Sequence, residues 1–229
     1  MRKRKIGVIV ASEAEMDAFF DVFCPIDSID RCFGYLVYIY DRPDFRTTIY
    51  LAQSGYGEIA AAATTQYLIS SYGVTEIINC GVAGALKDDL TPMDVGVVEK
   101  VVHYGLDLSG GGKYPVGRYS NQDDLYLRPR EEALRMPAAA KLRRFICASA
   151  DKFVYGGEPK RQLAKDFGAD ICEMEAAGIV LTCNKNQVPC TLLKAISDGI
   201  DEDEEAFDNN VYAASAVYAK LLHKLLFEP

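Results

Sequence analysis

The sequence predicts an α/β fold, and three observations carry the prediction. Short apolar runs rich in Val and Ile recur along the chain, segments with helically spaced apolar residues separate them, and several runs are apolar on both faces. That combination is expected of a sheet covered by helices on both sides. The first run, 6–11, follows a basic lead-in at 1–5 and is closed at once by Glu13 and Glu15. It therefore reads as a buried strand, since a secretory signal carries a longer apolar core. Met16, Phe19, Phe20 and Phe23 recur at helical spacing and predict a helix over 13–23. Strands follow at 34–40 and 47–52, then a helix at 57–71, strands at 76–80 and 95–102, and a helix at 130–142. A strand at 145–148, a helix at 158–167, a short strand at 171–172, a helix at 174–185, a strand at 191–196 and a helix at 206–226 complete the series. Residues 109–128, with three glycines at 110–112, form the longest aperiodic stretch, and loops of that length are commonly functional. The acidic run 201–205 precedes the last helix, where negative charge complements the helix dipole; a mobile lid is the sharper reading. No shift in composition marks a boundary, so 1–229 reads as a single domain.

Charge and rare residues exclude several classes of function. Among 229 residues, 25 Lys+Arg oppose 33 Asp+Glu, a net charge of −8. Such a surface repels phosphate backbones and anionic lipid, so neither nucleic acid nor membrane is expected as a partner. No apolar run approaches the ~18 residues of a transmembrane helix, and a cytoplasmic location is expected. Two histidines cannot build a His-rich metal site, and seven cysteines without a Cys-x-x-Cys spacing read as free thiols in a reducing compartment. No metal or cofactor is expected.

Two glycine-rich segments and three acids are the informative motifs. The segment 55–60, Gly-Tyr-Gly-Glu-Ile-Ala, has the G-x-G-x-x-A spacing between a strand and a helix. A dinucleotide site also needs an acid at the end of the next strand, and that strand ends in Asn79 and Cys80. A tight turn aiming helix N–H groups at a cleft fits better. A second glycine turn, 79–86, follows that strand, and its small residues permit close approach of another backbone or a flat ligand. Glu15, Glu175 and Asp198 each stand just beyond a predicted strand. Each alone fits a cap or a surface ion pair; three at one edge of a sheet suit acid–base work on a neutral substrate with a cationic transition state.

These segments, in order, resemble the nucleoside phosphorylase/nucleosidase superfamily, and specifically its 5′-methylthioadenosine/S-adenosylhomocysteine nucleosidases. The resemblance runs from about residue 5 to residue 226, and its specific part is Glu173-Met174-Glu175 followed by Ile196-Ser197-Asp198. It implies a three-layer αβα sandwich with a central mixed, partly barrel-like β-sheet, and cleavage of a purine N-ribosidic bond through a ribosyl cation. Under it Glu15 positions and deprotonates water, Met174 packs under the ribose, and Glu175 binds the ribose hydroxyls. Asp198, oriented by Ser197, protonates N7 of the departing adenine, and burial is expected to keep that acid protonated. Phe153 stacks on the base and the Val154 backbone hydrogen-bonds it. Gly81 and Val82 lie in the active-site turn, Val82 where the nucleosidases carry Ser, and Lys194 stands where they carry Arg. Tyr104 and Asp107 are expected as pocket-wall residues beside the loop 108–112, which in the family lines the 5′ pocket of a neighbouring subunit and here supplies no aromatic wall.

The resemblance also separates hydrolysis from phosphorolysis. Phosphorolytic relatives hold a phosphate dianion with arginines and a serine where this chain has Glu15, Asn79 and Val82. A carboxylate repels phosphate and activates water, so hydrolysis is expected, with a small-molecule nucleoside and water as reactants and a homodimer as the assembly. The alternatives are a phosphate-dependent purine nucleoside phosphorylase, a hydrolase for a futalosine-like nucleoside, and a storage or nucleoside-sensing relative.

Overall fold

Strand and helix alternate in the computed structural model, which describes residues 3–130 and 139–228. The order is β1 (Arg4–Val10), α1 (Glu13–Val22), β2 (Ser28–Cys32), β3 (Tyr35–Arg42), β4 (Thr47–Gln53), α2 (Glu58–Tyr67) and β5 (Glu76–Ala85). It continues with β6 (Val95–His103), β7 (Arg143–Ser149), α3 (Gly157–Phe167), β8 (Ile171–Glu173), α4 (Ala176–Asn186), β9 (Cys190–Asp198) and α5 (Glu204–Phe227). Most of the helix predicted at 130–142 falls outside the described residues; within them, Ala139–Lys141 makes a single 3₁₀ turn. The predicted helix 57–71 ends in a wider π-type turn, Leu68–Tyr72, closed by Gly73 in the left-handed region.

Period-two alternation along the strands builds the three layers. Ile6, Val8 and Val10 of β1 enter one core with Phe19 of α1, Phe23 at its C-cap, and Tyr218 and Leu222 of α5. Ile9 enters the other with Ala61 of α2 and Ile179 and Cys183 of α4. The sheet is mixed, with order β2-β3-β4-β1-β5-β8-β7-β6-β9, and a further β5–β9 pairing closes β5, β8, β7, β6 and β9 into a ring. The open wing and the closed ring share β5.

That sharing corrects the reading of residues 79–86 as a turn beyond a strand. β5 continues through Gly81 to Ala85, pairing with β1 in its first half, with β8 at its end and with β9 along its length. A register shift against β9 falls between Ala83 and Gly84, where small residues let the strand bend from wing into ring. β2 was not predicted: Ser-Ile-Asp-Arg-Cys lies on the outer edge with most of its side chains exposed, so no buried face patterns it. It joins β3 through Phe33 and Gly34, both at positive φ, as a two-residue hairpin turn demands. The aperiodic stretch 109–128 packs against the ring through a Val101–Leu127 bridge and a hydrogen bond from Tyr126 Oη to the Phe167 carbonyl at 2.7 Å. No helix among the described residues is long and apolar enough to cross a membrane.

Candidate active site

A cleft of about 560 Å³, open mouth included, lies where β1, β5, β8 and β9 end. That volume suits a small molecule. Glu15, Val82, Phe153, Val154, Met174, Glu175, Ser197 and Asp198 all line it, so the structure brings the three acids together. Gly81 and Lys194 are absent from the lining, although Lys194 bonds the lining residue Glu173 and Gly81 lies against Glu15. Tyr104 and Asp107 do not reach the cleft of their own chain. Tyr104 packs at 6.1 Å from Phe167 with its hydroxyl unpartnered, and Asp107 is exposed, accepting from Ser109 N and Oγ. The loop 108–112 likewise lies away from the cleft.

Glu15 is fixed by the start of α1. Ser12 caps the helix and Glu15 completes a capping box, its Oε2 accepting from Ala11 N at 2.7 Å and Ser12 N at 2.9 Å. Its other oxygen accepts from Val82 N at 2.9 Å. The spacing Ser12-x-x-Glu15 carries this cap openly in the sequence, a signal the reading above did not use. The approach depends on Gly81: an added Cβ would lie 3.2 Å from Glu15 Oε1 and 3.0 Å from Lys194 Nζ.

Beneath the cleft runs a buried charge network. Lys194, fully buried, donates to Glu173 Oε2 at 2.8 Å. Burial alone would lower the Lys194 pKa, but Glu173 and Glu175 outweigh it and hold it above the ordinary lysine value. Glu173 also accepts from Glu175 N at 3.0 Å and Ala176 N at 3.0 Å, so it fixes the first turn of α4, where Glu175 stands. Glu175 Oε1 accepts from Gly57 N at 3.1 Å. Burial, reinforced by neighbouring Glu173, pushes the Glu175 carboxyl up to about 8. The G-x-G-x-x-A turn thus aims its helix N–H groups at the protein's own carboxylates, Gly57 at Glu175 and Glu58 at Asp151.

Asp198 at the end of β9 accepts from Ser197 Oγ at 2.6 Å and from Lys160 Nζ at 2.5 Å. Lys160 belongs to α3 and is fully buried. The sequence reading missed Lys160 and gave Glu173 no role. It also passed over Tyr56 and Phe207, which line the cleft; the Phe207 ring meets Phe153 edge-on at 5.1 Å. The acidic run before α5 is occupied: Asp203 caps the helix, Asp201 pairs with Arg161 at 2.6 Å, and Glu202 accepts from Gly199 N.

A further acid, Glu58, sits behind the site. Ser149 Oγ and Gly178 N donate to its two carboxylate oxygens, tying α2 to β7 and α4. Burial, then the nearby Glu173 charge, pushes it up to about 8. An unfolded Glu titrates near ~4.3, so the folded state binds the extra proton between there and about 8, and stability falls as pH rises across that window. Glu58→Gln removes its share, on the order of a few kcal/mol, leaving the share of Glu175. Urea unfolding at pH 5 and pH 8 checks this; a difference as large in the variant as in the wild type would exclude Glu58 as a source.

Known proteins are similar to this chain along nearly its whole length. An aminodeoxyfutalosine nucleosidase of Helicobacter pylori is 30% identical over 235 residues, 98% of this chain and 99% of the relative. A 5′-methylthioadenosine/S-adenosylhomocysteine nucleosidase of Haemophilus ducreyi is 30% identical over 207 residues, 87% of each chain. The crystal structure of the Helicobacter pylori 5′-methylthioadenosine/S-adenosylhomocysteine nucleosidase with butyl-thio-DADMe-Immucillin-A superposes with a TM-score of 0.89 at 27% identity, covering 99% of both chains. The family model described as the phosphorylase superfamily matches residues 5–226, and the chain belongs to that superfamily.

Proposed function

We propose that the chain hydrolyses the N-ribosidic bond of an adenine nucleoside with a 5′ substituent, releasing adenine. The observation that carries this is the convergence of Glu15, Glu175 and Asp198 on one nucleoside-sized cleft. In this reading Glu15 takes the proton of a water attacking C1′, and Glu175 binds the ribose hydroxyls over Met174. Asp198, oriented by Ser197, protonates N7, while Phe153 stacks on the base and the Val154 backbone binds its edge. A base that leaves neutral departs far more readily than an anion, and a carboxylate at Glu15 stabilises the developing charge of the ribosyl cation. Hydrolysis is favoured over phosphorolysis because Glu15 faces the cleft and Lys194, a cation next to it, is already paired with Glu173. A phosphate dianion would meet Glu15 instead. A homodimer belongs to the same reading: Tyr104 and Asp107 would then serve the cleft of a second copy, and Ile59, 81% exposed beside the cleft residue Tyr56, is an apolar side chain such a contact would cover.

The relatives' names leave two substrate types within this reading, 5′-methylthioadenosine/S-adenosylhomocysteine and aminodeoxyfutalosine. Adenine release from 5′-methylthioadenosine, S-adenosylhomocysteine, aminodeoxyfutalosine and adenosine, with and without phosphate, tests it. Release without phosphate and unaltered by its addition is expected. Strict phosphate dependence would make the chain a phosphorylase, and binding without turnover across the panel would make it a sensing or storage relative.

A further inference from the structure

Lys160 is a buried cation that the reaction above leaves unused. It is 0% exposed, and its Nζ donates to Asp198 Oδ2 at 2.5 Å and to the Gly199 carbonyl at 2.6 Å. Asp198, 4% exposed, has its other oxygen on Ser197 Oγ. The neighbouring titratable groups are accounted for. Cys172 of β8 lies against the same point, and burial pushes its thiol up to about 12, so it carries no charge. Asp201 is turned to Arg161, Glu202 to Gly199 N, and Glu173 to Lys194.

An ammonium buried beside a neutral carboxylic acid would be an uncompensated charge, and so would a carboxylate beside a neutral amine. The two side chains therefore hold one transferable proton between them, as ammonium with carboxylate or as amine with acid. A lone protonated Asp198, as the sequence reading expects, does not match this arrangement.

We propose that Lys160 and Asp198 act as one proton-donating unit, in which Lys160 is the positioning residue that supplies Asp198 with the proton it gives to the purine. This rests on Asp198 being the proton donor of the reading above. In the step, an N–H bond of the Lys160 ammonium breaks as an O–H bond forms on Oδ2. The carboxyl passes a proton to N7 as the bonding pair of the C1′–N bond moves onto the base. Neutral amine, carboxylate, neutral purine and the ribosyl cation result. The water that adds to C1′ loses one proton to Glu15, and its return through solvent restores the ammonium, so the cycle balances.

Lys160→Met removes the proton source, and Lys160→Arg keeps the charge but holds its protons throughout the pH range. Both variants are expected to lose about 10²-fold in kcat with KM within about threefold. In wild type, kcat holds through mildly alkaline pH; in K160M its descending limb moves to lower pH, because a single carboxyl then titrates without its partner. Wild-type kcat in K160R, or a K160M limb unmoved or moved upward, overturns the proposal. Thermal melts report folding: if K160M does not fold, K160R decides, and if neither folds, a wild-type limb descending below neutrality overturns it. D198N separates the two readings. Full activity in D198N removes Asp198 as donor, whereas an inactive D198N beside a fully active K160R removes only the shared proton.

Discussion

Under the proposed reading, an Asp198→Asn variant releases adenine about 10³-fold more slowly than wild type, the scale of a lost general acid. The amide keeps the shape of the carboxylate and an oxygen for Lys160 Nζ, which now stands 2.5 Å from Asp198 Oδ2. It has no proton to give, so the purine must leave as an anion. The loss belongs in kcat, because no substrate-holding contact assigned to Glu175, Met174 or Phe153 changes. The variant also leaves the buried Lys160 ammonium without its counter-charge, lowering stability by about 3 kcal/mol. Single-turnover adenine release and urea unfolding measure the two effects separately. Wild-type turnover with lowered stability would make Asp198 a structural ion-pair partner and nothing more.

The largest effect on stability is expected from Lys194→Met. It breaks the Lys194–Glu173 pair, whose side chains are 1% and 3% exposed, and leaves a buried carboxylate uncompensated, at a cost of about 3–5 kcal/mol. Burial alone would raise the Glu173 pKa; Lys194, aided by Ser149 and the Glu175 N–H, outweighs it and holds it below the ordinary value. A depressed folded-state pKa contributes stability above the unfolded value near ~4.3, lost as pH falls through the lower folded value. Wild type should therefore lose this contribution only in acid, and K194M should lack it already at pH 7. Urea midpoints at pH 7 and in acid check both; equal midpoints for the two proteins at pH 7 would show that the pair contributes nothing net. Activity should fall as well, because Glu173 holds the turn from which Glu175 enters the cleft.

Repeating elements and the strand-end acids were legible in the sequence; the pairing of buried charges was not. α1 and α5 present apolar residues at helical spacing, and β1 alternates Ile6, Val8 and Val10 against Ile9. Burial on one or both faces imposes those patterns, and burial is what the reading detects. β2 has no buried face and left no trace. The bend in β5 looked like a turn because small residues serve both purposes. The three acids were legible because strand ends converge in this architecture, whatever the chain's local sequence. Lys160 read as an ordinary charged residue and Lys194 stood out only through the resemblance, since their partners lie 38 and 21 positions away and only tertiary packing decides which cation is enclosed. Tyr104 and Asp107 were drawn from the resemblance, which assigns that wall to a neighbouring subunit, and in this chain they lie away from its own cleft.

The shared strand β5 also sets an order of assembly during synthesis. Its partner β9, with Ile77 against Cys190 and Gly84 against Asp198, is the last of the described strands to be made. A nascent chain can lay down the wing of β1 to β4 early, yet it cannot shut the ring until β9 is available, and non-local pairing of this kind forms slowly. The same late strand carries Ser197 and Asp198. Strand closure and completion of the cleft are therefore one event, and a ribosome-bound intermediate with much of its secondary structure in place still has nowhere to hold a nucleoside.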